Sequence, residues 1–263
     1  LEFRRVLFRS NPDLIGCYET VRDQPEAVSR ALEGLAEGHR RHGREHYYRV
    51  RDEHFNPLRT TRRAPGGRIA YTAELAAMLI YLNRTGFNGL FRVNAGGAFN
   101  VPAGKYERPR IADPERLHGV AAALRSPGVT LRWGSFAEAE ALARAGDFLY
   151  IDPPYAPLSA TASFTAYTSL RFGAEAQEAL QRMAIALAGR GCHVLLSNST
   201  AEAITALYDT DPAARRAGLR ALRVPARRAI NSKAGRRGPI EEYVITNIPA
   251  AGPVPGGTAE KPA

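Results

Sequence analysis

The sequence predicts an α/β protein: a parallel-rich, doubly wound sheet in the second half, preceded by helices and a hairpin. Three observations carry this expectation. From about residue 128, short apolar runs alternate with helical stretches, the pattern of βαβ units. A hydrophobic fraction of 44% over 263 residues supports a substantial core. One apolar run, Phe148-Leu149-Tyr150-Ile151, ends in Asp152-Pro153-Pro154-Tyr155, at the strand edge where open α/β sheets place ligands.

Taken in order, Leu1 to Ser10 has no helical or strand period: Glu2, Arg4, Arg5 and Arg9 interrupt short apolar pairs. It reads as a junction segment and is set aside. Asn11 then caps a helix with Pro12 at its first position and Leu14, Ile15, Tyr18 and Val21 along it. A second helix runs through Val28, Leu32 and Leu35 to the basic stretch His39-Arg40-Arg41-His42-Gly43. A third covers roughly Ala73 to Asn83, and Gly86 to Tyr106 reads as a hairpin turning at Ala95-Gly96-Gly97. Strands are expected at Val129–Arg132, Phe148–Asp152, Cys192–Leu196, Leu219–Val224 and Glu242–Ile245, with helices at Ala137–Ala145, Ala174–Ala188 and Ala201–Tyr208. The Pro- and Gly-rich tail Ala250–Ala263 is expected to be disordered.

Charge narrows the function. Lys and Arg number 36 against 26 Asp and Glu, a net +10, which points to a polyanionic partner, nucleic acid first. An arginine-favouring genome would give the same excess. No stretch approaches the ~20 apolar residues of a membrane span. No basic-then-apolar leader opens the sequence, so a cytoplasmic protein is expected. Cys17 and Cys192 lack metal-ligand spacing and read as buried, reduced thiols, with no metal expected.

In Asp152-Pro153-Pro154-Tyr155 the prolines fix φ and remove two backbone donors, leaving carbonyls free to accept. A carboxylate, a free carbonyl and an aromatic plate suit the exocyclic amine of a flipped-out base. A plain strand-terminating turn is the alternative. Tyr81 to Asn94 and Phe99 to Tyr106 mix Arg, Asn and Lys with aromatic residues. Such side chains hold bases bidentately, grip phosphates or wedge between base steps. The same asparagines would equally cap turns in a glycine-rich loop pair.

Together these segments closely resemble the Dam-type DNA adenine-N6 methyltransferases. Residues 81–109 and 150–167 carry the likeness, including Ala156-Pro157-Leu158-Ser159-Ala160-Thr161-Ala162 and Phe164-Thr165-Ala166-Tyr167 after the acidic motif. It extends from Asn11-Pro12-Asp13-Leu14-Ile15 to about Asn247, through the arginine-rich segment Arg227–Lys233. The resemblance implies a Rossmann-like, S-adenosylmethionine-dependent catalytic domain at 116–249 and a helical, hairpin-bearing recognition domain at 11–115. It implies methylation of adenine N6 in a short, GATC-like palindrome of duplex DNA by a bacterial or phage type of enzyme. A monomer associated with the nucleoid is expected.

By position, the resemblance makes Asp152, Pro153, Pro154 and Tyr155 catalytic. Asp152 and the Pro153 carbonyl would accept from the target amine and Tyr155 would stack on the base. Asp152 also touches the cofactor, and Phe136 packs near its adenine. Phe87 and Asn88 would push into the duplex, Leu90, Arg92 and Pro102 read bases, and Arg84, Asn94, Asn100 and Lys105 contact phosphates. The family's Phe-x-Gly-x-Gly turn and ribose-binding acid are not found; Arg9 or its neighbour stands where the acid is expected. An enzyme truncated at its N-terminus is therefore expected. Its alternative is a cofactor-deficient DNA-binding fragment, and a third reading is an RNA methyltransferase, since similar motifs modify amines there. An orphan methylase and a restriction-modification enzyme both stay open.

Overall fold

The computed structural model describes residues 5–158, 172–227 and 239–249. They fall into two compact units, Leu1–Ala139 and Glu140–Ala263. Residues 159–171, with the motif extension Ser159–Ala162 and Phe164–Tyr167, lie outside the described residues, as do 228–238, which take in all but the first residue of the arginine-rich segment Arg227–Lys233, and the tail from Ala250.

The first unit is built on helices. Helix α1 (Pro12–Asp23) starts as expected, with the Asn11 side chain accepting from the Asp13 amide at 2.9 Å. Helix α2 (Pro25–Arg49) is kinked at Gly43, whose φ of 49° and ψ of -123° are not helical, so its first segment ends where the sequence placed the end and a second helical segment continues to Arg49. It runs on through a π-turn, Val50–Phe55, into α3 (Asn56–Thr61), where the sequence suggested no element. Helix α4 (Ala73–Thr85) is capped by the Thr72 hydroxyl, and α5 (Pro114–Arg125) by the Asp113 carboxylate. Val28, Tyr47, Phe55, Leu75, Tyr81, Leu82, Phe99 and Val101 form the centre of its core.

A buried ion pair ties these parts together. Arg59 donates from Nε and Nη2 to the two carboxylate oxygens of Asp13, at 2.6 and 2.8 Å, and both side chains are at least 95% buried. The Tyr71 hydroxyl adds a bond to Asp13 at 2.9 Å, and Arg59 Nη1 donates to the Gly97 carbonyl in the hairpin turn. Burial, then the Asp13 charge, raises the Cys17 thiol to about 12, so it stays protonated and inert.

One sequence expectation fails here. Arg5–Arg9, set aside as a junction, is a strand, β1, paired in parallel with β2 (Val129–Trp133) from Arg5↔Val129 to Arg9↔Trp133. The Trp133 indole donates to the Ser10 carbonyl at 3.1 Å, fixing where that strand ends. Helix α6 (Phe136–Leu142) follows.

The second unit holds a four-stranded sheet in the order β3-β4-β6-β5. Strand β3 (Phe148–Ile151) is parallel to β4 (His193–Ser199), and α7 (Ala174–Gly189) lies between them in the chain. Strand β6 (Pro239–Thr246) is antiparallel to both β4 and β5 (Arg220–Arg227). The sheet is therefore mixed rather than parallel-rich. Apolar runs mark strands but not their direction, and β5 and β6 lie close enough in sequence to pair with each other as antiparallel neighbours. Helix α7 buries Leu180, Met183, Ala184 and Leu187, spaced to line one helical face. The segment α8 (Glu202–Ile204), a π-turn (Thr205–Thr210) and α9 (Pro212–Arg216) complete the unit.

Breaking the Asp13–Arg59 pair should be costly, since one partner alone leaves an uncompensated buried charge. Arg59→Met is expected to lower unfolding stability by about 3–5 kcal/mol in urea titrations. Asp13→Asn in the same chain should recover part of that loss; no recovery would show that the charge is not the cause.

Candidate active site and recognition hairpin

The motif loop begins where β3 ends, one residue beyond the pair Ile151↔Leu196. Asp152 accepts from the Ser197 hydroxyl at 2.9 Å and is exposed. Pro153 and Pro154 have no N–H to close the loop on itself, so side chains from other elements hold it. Gln177 of α7 donates from Nε2 to the Pro154 carbonyl at 2.9 Å. The Ala156 amide donates to Asn198 Oδ1 at 3.1 Å, and the Ser199 hydroxyl to the Ala156 carbonyl at 2.6 Å. Tyr155 is 38% exposed, and its hydroxyl donates to Glu242 Oε2 at 3.3 Å.

Burial is the main reason the Tyr155 phenol titrates above its ordinary value; the Glu242 and Asp152 charges add to it, and a hydrogen bond with Ser197 opposes it. The ring is therefore neutral and a hydrogen-bond donor throughout the physiological range. The Pro153 carbonyl accepts no hydrogen bond from the described residues. Together Asp152, that carbonyl and the Tyr155 ring present two acceptors beside an open aromatic face.

Ser197, Asn198, Gln177 and Glu242 escaped the sequence reading. The only signal was the polar pair Ser197-Asn198 closing an apolar strand; Gln177 sits in a helix where an isolated glutamine reads as surface. Phe136 opens α6 and is half-buried. It belongs to the first unit, whereas Asp152 belongs to the second.

The hairpin residues also lie in the first unit. Its arms meet through the antiparallel bridges Gly86↔Ala103 and Val93↔Phe99 rather than a continuous ladder. At its base Phe87–Gly89 makes a tight 3₁₀ turn, with Asn88 at φ 53°, the only non-glycine residue in the left-handed region among those described. That turn pushes Phe87 and Leu90 outward, 48% and 41% exposed, and the Phe87 amide donates to the Pro102 carbonyl at 2.9 Å.

Arg92 and Asn100, expected in separate roles, are brought together. Arg92 Nε donates to Asn100 Oδ1 at 2.8 Å and Nη2 to the Asn100 carbonyl at 3.1 Å. Asn94 accepts from the Ala98 amide at 3.0 Å and so caps the turn. Pro102 and Lys105 are exposed, and Arg84 is half-buried at the end of α4. Among the described residues no group of three side chains could hold a metal, and no helix is long and apolar enough to cross a membrane.

A carboxylate, two prolines and an open aromatic ring after a strand of an α/β sheet suit an enzyme that acts on the exocyclic amine of a base. The chain belongs to the D12 class N6 adenine-specific DNA methyltransferases, whose family model matches residues 6–229. It is an adenine-directed DNA methyltransferase. It is 34% identical to the type II methyltransferase M1.LlaDCHI of Lactococcus lactis subsp. cremoris, over 93% of this chain and 79% of that protein. The type II methyltransferase M.MjaIII of Methanocaldococcus jannaschii is also 34% identical, over 94% of this chain and 81% of its own. The DNA adenine methylase of Escherichia coli strain K12 is 34% identical, over 94% and 80%.

The raised phenol of Tyr155 is directly measurable. Difference absorbance titration of the protein against Tyr155→Phe should place this ionisation above that of an unperturbed tyrosine (about 10). An ionisation at or below that value would show a ring open to water on all sides.

Proposed function

We propose that the protein transfers a methyl group from S-adenosylmethionine to adenine N6 within a short, GATC-like palindrome of duplex DNA. The observation that carries this reading is the Ser197-held carboxylate of Asp152 beside the open face of Tyr155. In this reading residues 11–115 recognise DNA, residues 116–249 form a Rossmann-like catalytic domain, and the protein acts as a monomer in the cytoplasm.

The adenine amine is a poor nucleophile because its lone pair is delocalised into the ring. Asp152 and the Pro153 carbonyl accept hydrogen bonds from its two N–H groups, which favours localising the lone pair on nitrogen. Tyr155 stacks on the extruded base and offsets part of the unstacking cost, a few kcal/mol. The exposed Asp152 carboxylate suits an ammonium group and the half-buried Phe136 ring suits a purine, so both fit parts of the methyl donor. When bound, that donor supplies a methyl group already activated on sulfur. The protein's own contribution is chiefly positioning.

The hairpin supports the duplex half of the reading. Phe87 and Asn88 are suited to enter the duplex where the base leaves. Leu90, Arg92 and Pro102 serve as base readers and Arg84, Asn94, Asn100 and Lys105 as phosphate contacts. Arg92 is held by Asn100 and so meets the base with less freedom to lose.

Methyl transfer to duplex DNA from labelled donor, followed by site mapping, tests the whole reading; binding without transfer would favour a DNA-binding fragment. Asp152→Ala should remove nearly all transfer and leave duplex affinity intact, because the carboxylate serves the amine and not the phosphates. More than a few per cent of turnover in that variant would sink the assignment.

The two hairpin roles separate by salt and sequence. Arg92→Ala should cost about 1–3 kcal/mol on the cognate site and relax specificity at one position. Lys105→Ala should weaken all sequences alike and reduce the salt slope by about one. Equal loss on cognate and non-cognate duplexes for Arg92→Ala would reverse the assignment.

A further inference from the structure

We propose that Gln177 and Asn198 are positioning residues that fix the plane of the Tyr155 ring, and with it the slot in which the target base stacks. This rests on the reading of Asp152–Tyr155 given above and deepens it.

Both side chains are buried, Asn198 fully and Gln177 to 97%. A buried amide without partners is costly, so each of their polar atoms has to be accounted for. Asn198 Oδ1 faces two amides, Ala156 N at 3.1 Å and Ser199 N at 2.9 Å, and it must be the oxygen because both neighbours are donors. Its Nδ2 then donates to Gln177 Oε1 at 3.1 Å, which leaves Gln177 Nε2 to donate to the Pro154 carbonyl at 2.9 Å. One end of the relay fixes the direction of every bond in it.

The two backbone groups it grips bracket one residue. The Pro154 carbonyl precedes Tyr155 and the Ala156 amide follows it, so the peptide groups on both sides of that residue are held by buried side chains. The Ser199 hydroxyl adds a bond to the Ala156 carbonyl at 2.6 Å. The ring's own hydroxyl is engaged by Glu242 at 3.3 Å and by Ser197. The clamp is buried while Tyr155 is 38% exposed, so it can orient the ring without touching the base.

The test uses Gln177→Met, an apolar replacement of similar length, and a duplex carrying 2-aminopurine at the target adenine. The expected result is a kcat lowered about 10- to 100-fold, with a much smaller change in the KM for DNA and in the duplex Kd. Emission from the bound duplex should rise toward that of a Tyr155→Ala control, as the base loses its stacking partner. A purely structural role would lower stability without moving the emission. Gln177→Glu keeps the acceptor for Asn198 and removes the donor to Pro154. It carries the same expectation if the methionine variant does not fold. Wild-type kcat and emission in a folded variant would overturn the clamp while Asp152→Ala stays inactive. An active Asp152→Ala would overturn the site reading and the clamp with it.

Discussion

The first unit depends on one charge pair kept from water. Asp13 lies in the opening turn of α1, where the helix N-terminus favours a carboxylate. Arg59 meets it with two parallel bonds, the fork geometry that makes an arginine hard to replace. Burying both charges is costly unless every lone pair and proton is used. Tyr71 gives the carboxylate a third bond, and the Gly97 carbonyl accepts a third from the guanidinium. The start of α1, the end of α3, the segment before α4 and the hairpin turn therefore share a single network. None can shift without exposing a charge to an apolar core.

The hairpin inherits its place from that network and from a change of helical pitch. Tyr47 and Arg51 both donate to the Val101 carbonyl, at 2.9 Å each. Asn56 makes two bonds to the Phe99 backbone, and Arg59 reaches Gly97. In a regular α-helix residue 55, four after Arg51, would share that face. The π-turn at Val50–Phe55 adds a residue to the turn, so Asn56 faces the hairpin while Phe55 turns inward to within 5.7 Å of the Phe99 ring. Single π-turns of this kind recur at functional sites. Here the turn aligns a ladder of side chains with an arm that has almost no strand partner of its own.

What the sequence disclosed and what it hid follow from the range of the interactions. Asn11-Pro12 and the apolar strand runs are local signals, and the elements they mark lie close to where they were expected. Asp152–Tyr155 was legible because two prolines and an acid after an apolar run have few structural uses. Strand β1 was illegible: five residues with arginine at each end show no period, and the partner is more than 120 residues away. The π-turn sequence Val50-Arg51-Asp52-Glu53-His54-Phe55 reads as a solvated stretch, and its meaning depends on the hairpin laid against it. Arg59 has the same disguise among polar neighbours. Gln177, Asn198 and Glu242 acquire their roles only when α7, β4 and β6 are brought to the end of β3.

The hairpin and the motif loop solve one physical problem in the same way. Each is irregular backbone that must hold side chains outward, so neither can satisfy its polar groups through a sheet or helix of its own. In both, regular elements lend side chains: Tyr47, Arg51, Asn56 and Arg59 to the hairpin, and Gln177, Asn198 and Ser199 to the loop. The backbone is gripped from the core side, and the functional groups keep their freedom to meet a ligand. In the loop the two prolines sharpen this dependence. With no N–H at 153 or 154, it accepts bonds but donates few, and its shape is set almost wholly by residues more than twenty positions away. Substitutions at those supports should therefore alter function while leaving every residue of the motif intact.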